Sequence, residues 1–256
     1  MPLPHNAADY ESIVRHAAEF AVQNEARQFR AFGLTAPTVI VPNGIDPSKF
    51  GRPAPRLAER LDLEPEARTL LFLSRLHPKK GVDVLLRAFA LVSGALPDVT
   101  LVVAGHDGGS GYATVLRRLA ETLGIAGRCR FVGEVRGEAK LDLLSGADAF
   151  VLVSHSEGLP VAVIEAMASG LPVIITPGCN LPEVAKYNAG LIVEPRPESV
   201  GRAIADLFAD RAGSETMGEN GTRLVAEKFK WQRIGGRTIE IYGQLSAQSH
   251  ALRIGS

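Results

Sequence analysis

Two cations and two carboxylates stand out in this chain for their type and spacing: Arg75, Lys80, Glu157 and Glu165. The cations fall in SRLHPKKG (74–81), between an apolar β-type run and a helical one. A guanidinium grips phosphate oxygens through two parallel hydrogen bonds, and a lysine adds a compact charge. The helix that follows Gly81 contributes the partial positive charge of its N-terminus. That combination makes an anion site; a solvated basic turn has the same composition and stays open as the alternative. The carboxylates fall in SHSEGLPVAVIEAMASGLPVI (154–174). Glu157 closes a strand-to-helix loop, Gly158 admits backbone conformations barred to other residues, and Pro160 suits the first turn of a helix. Glu165 is the one charge in the apolar run VAVIEAMA. A carboxylate there is costly unless something bonds it. Two ribose hydroxyls would satisfy it, since a carboxylate accepts from both. So would backbone groups or an arginine, in a purely structural pair.

Other constellations carry less. AGHDGGSG (104–111) invites a dinucleotide fingerprint, but counting from Gly109 and Gly111 the third glycine position of G-x-G-x-x-G holds Thr114. A flexible loop after a strand therefore fits better than a nicotinamide site. Neither a G-x-S-x-G elbow nor a G-x-x-x-x-G-K-[ST] loop occurs. His77, His106 and His155 are isolated in sequence. No D-x-D occurs, so a diphosphate held by a metal on acidic residues is not indicated. Arg75 and Lys80 can supply the neutralising charge instead, and neither a metal nor another cofactor is expected. Cys129 and Cys179 belong to no C-x-x-C or Cys/His cluster and read as free thiols of a reducing compartment. Lysine plus arginine, 28, balance aspartate plus glutamate, 28, so no long-range pull toward nucleic acid or anionic membrane is expected. The N-terminus lacks a basic segment followed by an apolar run, and no uncharged apolar stretch reaches the roughly 18 residues of a membrane span. A cytoplasmic protein is the expectation.

The elements that must position these residues follow from periodicity. With 256 residues, 46% of them hydrophobic, the chain can bury a sizeable core. Residues 7–32 show near-helical apolar spacing and read as helix, followed by the apolar run TVIVPNG (38–44). From 68 onward strands and helices alternate. The strands read as 69–74, 99–105, 128–133, 149–154, 172–176 and 189–193. The helices read as 82–93, 112–123, 137–145, 160–169 and 182–186, and the tail 198–247 reads as all-helical. The strands are apolar almost throughout, which suits a parallel sheet covered on both faces. Short connections between alternating helices and strands predict a doubly wound, Rossmann-like α/β domain over 68–193. In such sheets ligands bind beyond the carboxyl ends of the strands, and the two segments that hold the four residues each follow a strand.

At this point the motifs become recognisable. EGLPVAVIEAMASGLPVI resembles the E-x-x-x-x-x-x-x-E segment of retaining glycosyltransferases of the GT-B fold, family four (glycosyl transferases group 1). SRLHPKKGVDVLLRAFA is similar to that family's G-R-L-x-x-x-K-G segment, VPNGID (41–46) to its interdomain segment, FVGEV (131–135) to its strand near the nucleotide base, and KWQRIGGRTIEIYGQL (230–245) to its closing helix. The resemblance covers about residues 16–246. It implies the C-terminal half of a GT-B fold, with 1–40 as a remnant of the N-terminal domain, 41–230 as the Rossmann-like nucleotide-sugar-binding domain and 231–256 as closing helix and tail. It implies a donor site of Ser74, Arg75, Lys80, Val132, Glu157, Gly158, Leu159, Pro160, Val161 and Glu165, with Arg75, Lys80 and Glu157 the catalytic residues and no metal. Arg75 and Lys80 would hold the donor diphosphate and Glu157 the transferred sugar. The N–H groups of Gly158 to Val161 would lie near sugar and phosphates, Glu165 would hold the ribose, and the backbone near Val132 would touch the base.

The sequence departs from the family in three places. Ser74 replaces a glycine, and Val153 stands where proline is common. TPGCNLPEV (176–184) stands where many members have a Gly-Gly-x-x-E loop, its cysteine and asparagine occurring in a subset and Glu183 matching the acidic residue. The family's N-terminal acceptor domain is not represented, so that domain or a partner chain is expected to supply the acceptor site. Exposed apolar helices are expected to pack there or to form a homodimer. A location peripheral to the inner face of the membrane is compatible with this reading. A non-catalytic nucleotide-sugar-binding module and an NAD-dependent Rossmann protein remain the alternatives.

Overall fold

The structure, a computed structural model, describes residues 18–20, 27, 30–31, 33, 38–51, 55–61, 63–64 and 66–254. Near the N-terminus, β1 (Ala18–Phe20) and β2 (Thr38–Ile40) pair in parallel as a small two-stranded sheet. This corrects the expectation of one helix over 7–32. Ala18–Phe20 is extended, and only Arg27, Arg30 and Ala31 are described as helical; the remainder of that expectation lies outside the described residues. A short run of paired apolar residues is ambiguous between the two periodicities, and pairing with the β-branched run at 38–40 decides it.

A short α1 (Leu57–Arg60) leads into the alternating series. It runs β3 (Arg68–Leu73), α2 (Val82–Val92), β4 (Val99–Ala104), α3 (Tyr112–Thr122), β5 (Cys129–Gly133), α4 (Gly137–Gly146) and β6 (Ala149–Leu152). It continues with α5 (Val161–Ala168), β7 (Val173–Ile175), α6 (Glu183–Lys186) and β8 (Gly190–Ile192). The helical tail breaks into α7 (Pro197–Ala209), α8 (Arg211–Lys228) and α9 (Trp231–Ile254). All neighbours in the six-stranded sheet are parallel, in the order β5-β4-β3-β6-β7-β8. This is the doubly wound order in which the first strand in sequence sits at the centre.

The core is the two-sided burial that the apolar runs predicted. Leu70 to Phe72, Leu101, Val102, Phe150, Val151 and Val173 to Ile175 have no accessible surface. On α2 the residues Val82, Leu85, Leu86 and Phe89 are fully buried, which seats that helix on the sheet. By contacts the chain divides into two compact units, one of Ile45–Glu227 and one of the terminal segments up to Gly44 and from Lys228 onward. Within the terminal unit, Trp231 and Ile234 of α9 lie against Gly44, where a Cβ would collide with the indole.

At the amino end of the sheet, Arg68 ties three elements together. Its guanidinium donates to both Asp98 carboxylate oxygens (2.6 and 3.1 Å) just before β4 and to the Phe208 carbonyl oxygen (2.6 Å) of α7. It also lies 4.9 Å from the centre of the Phe208 ring. The hydrogen bond from Arg68 holds the Asp98 carboxyl below the usual carboxylate range. Arg68→Met is expected to cost about 1–2 kcal/mol of stability, the two side chains being only partly buried. Because the folded-state pKa of Asp98 lies below the unfolded one, the stabilisation is complete above the ordinary aspartate range and is lost as pH falls through the folded value. Urea unfolding across that acidic range should show the gap between wild type and Arg68→Met closing as pH drops.

Candidate functional site

The strand order places a topological switch point between β3 and β6. From β3 the chain winds outward to β4 and β5, and from β6 it winds the other way to β7 and β8. The connections leaving β3 and β6 therefore diverge, and a crevice opens at their carboxyl ends. SRLHPKKG leaves β3 and SHSEG leaves β6, so the two segments singled out by sequence meet there. The His155 N–H donates to the Lys79 carbonyl oxygen at 2.9 Å, joining the two loops directly. Gly81 sits at φ 65° between the turn Pro78–Lys80 and α2, with its α-carbon against the Val153 carbonyl oxygen. No residue with a Cβ fits there, which explains the glycine after Lys80.

The charged residues pair across this seam. The Lys80 Nζ lies 2.5 Å from Glu157 Oε1, with 13% and 11% of the two side chains exposed. The Ser154 hydroxyl donates to the same carboxylate oxygen at 2.6 Å. Arg75 is exposed and, among the described residues, has no hydrogen-bond or ion-pair partner. Ser74 is half-buried and its N–H donates to the Ala104 carbonyl oxygen at 3.2 Å. Pro160 forms the N-cap of α5 rather than its first turn, and Val161 begins the helix. Gly158 and Leu159 lie between Glu157 and that cap, and among the described residues their N–H groups have no backbone acceptor. Val132 is the extra residue of a bulge. Val103 pairs with Phe131 and Ala104 with Gly133, so Val132 has no counterpart in β4. Bulges of this kind free backbone groups at sheet edges and beside sites.

Glu165 lies in the middle of α5, its side chain 12% exposed, and bonds Lys140 of α4 at 2.6 Å. Its burial is thus satisfied by a cation already in the chain, so the burial argument by itself no longer calls for a ribose. Sequence reasoning missed Lys140, because nothing in the sequence predicts that α4 meets α5 across a separation of 25 positions. It also missed Ser154, for which a signal existed: a hydroxyl immediately past a buried strand, three residues before the glutamate. The loop at 104–111 is more ordered than its glycines suggested. The Asp107 carboxylate accepts from the N–H groups of Gly109 and Ala113 at 3.1 Å each, and these bonds hold its carboxyl below the usual range, Ala113 contributing most. Cys129 and Cys179 are buried free thiols; burial pushes Cys129 up to about 12 and Cys179 upward as well. Among the described residues no group of three or more His, Cys, Asp or Glu side chains could hold a metal ion.

A family model, glycosyl transferases group 1, matches residues 55–224, which include both loops and all of α5. The chain belongs to that family. A curated relative, the GDP-mannose-dependent alpha-(1-6)-phosphatidylinositol monomannoside mannosyltransferase of Mycobacterium tuberculosis (strain CDC 1551 / Oshkosh), is 32% identical over 224 residues. That match covers 82% of this chain and 57% of the relative. The D-inositol 3-phosphate glycosyltransferase of Mycolicibacterium gilvum is 32% identical over 258 residues, covering 97% of this chain and 57% of the relative. This group 1 chain thus spans little more than half the length of those two proteins. Among solved structures, Anabaena Alr3699/HepE in complex with UDP and glucose superposes with a TM-score of 0.81 at 20% identity, over 94% of this chain and 68% of that one. The likeness in fold confirms the doubly wound, Rossmann-like expectation for this glycosyltransferase domain.

The Lys140–Glu165 pair generates a direct test. Lys140→Met leaves the carboxylate part-buried without its cation and is expected to destabilise the protein by about 1–3 kcal/mol, whereas the double variant Lys140→Met/Glu165→Gln should recover part of that loss. A chemical-denaturation cycle over the four proteins measures the coupling.

Proposed function

We propose that this chain is the donor-binding half of a retaining glycosyltransferase, which moves a sugar from a nucleoside diphosphate sugar to an acceptor hydroxyl. The observation that carries the reading is the Lys80–Glu157 pair, which joins the loops leaving β3 and β6 at the switch point of a group 1 domain, with Arg75 exposed on the first of those loops. The relatives' names point the same way: one is GDP-mannose-dependent, and the solved neighbour is in complex with UDP and glucose.

In this mechanism the departing nucleoside diphosphate gathers negative charge as the bond to the sugar breaks. Stabilising that developing charge is the protein's main task. Arg75, exposed and without a partner among the described residues, is free to close on phosphate oxygens in a bidentate grip. Lys80 already holds Glu157, so a bound diphosphate would draw its ammonium into a three-way contact. The second oxygen of Glu157 then remains to accept from sugar hydroxyls and to orient the sugar. Glu165, held by Lys140 through one oxygen, has its other oxygen for the ribose. The bulge at Val132 offers backbone groups to the base. The two cations take the place of a metal ion, and no cofactor enters.

The proposal takes residues 1–40 as the end of an acceptor domain, 41–230 as the donor domain and 231–256 as the closing helix. A further domain or a partner chain would complete the acceptor side. Trp231, Ile239 and Tyr242 of α9, each more than half exposed, provide apolar surface for such packing or for a homodimer. No helix of the described residues is long and apolar enough to cross a membrane. A cytoplasmic location, including the inner membrane face, belongs to the proposal, and the buried free thiols suit a reducing compartment. The rival reading, a nucleotide-sugar-binding module without transferase activity, draws on the same site.

Calorimetry with UDP, GDP and ADP tests the site. One of them should bind the chain, and Arg75→Ala or Lys80→Ala should each weaken that binding about tenfold or more. Unchanged affinity in both folded variants would remove the phosphate assignment. The same affinity with EDTA as with magnesium is the expected result for metal-independent binding; a large loss in EDTA would count against it. Transfer of sugar once the acceptor domain is supplied, with none from the chain alone, separates the donor-half reading from a binding-only module.

A further inference from the structure

The segment Thr176–Asn180, between β7 and α6, has no part in the site as described so far, yet it makes three hydrogen bonds to the main chain of the Glu157 loop. The Glu157 N–H donates to the Gly178 carbonyl oxygen at 2.8 Å. The Asn180 side-chain amide donates to the Glu157 carbonyl oxygen at 2.6 Å. The Thr176 hydroxyl donates to the Ser154 carbonyl oxygen at 2.5 Å. Gly178 packs so closely under the Ser154 and His155 carbonyl groups that a Cβ would overlap both. Main-chain groups on both sides of Glu157 are therefore anchored to one turn.

Asn180 itself holds a left-handed backbone, φ 54° and ψ 34°, at the end of the short turn Pro177–Cys179. Glycine makes that conformation without steric cost, and asparagine tolerates it less readily. What the asparagine adds is the amide, and the amide is spent on the carbonyl of Glu157. In a trans peptide the carbonyl oxygen and the following N–H point in opposite directions. Fixing the Glu157 carbonyl toward Asn180 thus turns the Gly158 N–H away from the turn, and that N–H has no backbone acceptor among the described residues.

We infer that Asn180 is a positioning residue of the donor site. It sets the Glu157–Gly158 peptide so that the Glu157 carboxylate and the Gly158 N–H address the sugar end of the donor together. The inference rests on the donor-site reading above and extends it to a residue from a third loop. It also gives the departure from a Gly-Gly loop at 179–180 a physical consequence: this chain orients the peptide with a side-chain amide.

The test compares a nucleoside diphosphate with its sugar ester, because only the ester reaches the sugar end. UDP with UDP-glucose, GDP with GDP-mannose and ADP with ADP-glucose are titrated into the full chain by calorimetry, and the pair that binds is carried forward. Two variants remove the amide differently. Asn180→Gly keeps the left-handed backbone, and Asn180→Asp keeps the size and replaces the donor with an acceptor. Both are expected to weaken the sugar ester about tenfold while changing the bare diphosphate less than about twofold, with near-native circular dichroism. An equal loss for both ligands, no loss for either, or loss of folding in both variants would make the contact merely structural and overturn the inference. Glu157→Gln separates that failure from failure of the underlying reading. If it weakens the sugar ester while the Asn180 variants do not, the donor site stands without Asn180. If the wild-type chain binds none of the six ligands, the donor-site reading falls and this inference with it.

Discussion

Between β3 and β6 the sheet reverses its direction of winding, and two strands that are hydrogen-bonded neighbours send their chains apart. Right-handed crossovers leave little choice in this. Strands laid down to one side carry their helices on one face, and strands laid down to the other side carry them on the opposite face. At the reversal no helix covers the strand ends, so the crevice is a by-product of topology rather than of any single residue. Apart from Glu165 in α5, the groups proposed to bind ligand hang from that edge: Arg75 and Lys80 from β3, Ser154 and Glu157 from β6, the bulge at Val132 from β5 and the anchoring turn from β7. The sheet can act as a rigid mount because its central strands are buried on both faces, in apolar runs that cannot slip register without exposing them.

Charge is the second organising element. Each site glutamate is matched to a lysine that arrives from another part of the chain, Lys80 for Glu157 and Lys140 for Glu165. Part-buried carboxylates without such partners would be costly, so the pairs make the arrangement tolerable before any ligand enters. The same pairing limits what ligand binding can gain. In the proposed donor site, a diphosphate would meet one unpaired guanidinium at Arg75 and one ammonium already engaged at Lys80, so part of its attraction would go to rearranging Lys80. A pocket arranged this way discriminates by geometry as much as by charge. That makes the loops which aim Glu157 as important as the cations.

Local order at the site comes mainly from backbone contacts between successive strand ends. Ser74 and Leu76 donate to Ala104 and His106, His155 to Lys79, and Glu157 to Gly178. These bonds join the loops after β3, β4, β6 and β7 into one continuous rim. Loops usually concentrate mobility as well as function, and hydrogen-bonding them to each other gives precision without adding secondary structure. The Asp107 carboxylate plays the same part for the glycine-rich loop before α3.

The strands, their apolar two-sided burial and the helix faces could be read from periodicity alone, because a buried parallel strand and an amphipathic helix each leave a local signature. So could the position of Arg75, Lys80 and Glu157 just beyond strand ends and of Glu165 within the helix that follows. The N-terminal segment at 18–20 could not, since its extended form depends on a partner twenty residues away. Nor could the identity of each charge's partner. The sequence allowed Lys80 to be a solvated turn residue and Glu165 to be bonded by ribose, backbone or arginine; the fold chose Glu157 for the one and Lys140 for the other. Asn180 was legible only as a departure from a glycine loop, because the carbonyl it holds lies 23 positions earlier in the chain. Local spacing determines which faces are buried and which ends carry function. Long-range pairing, which depends on the strand order and on the reach of each side chain across it, is decided by the tertiary structure.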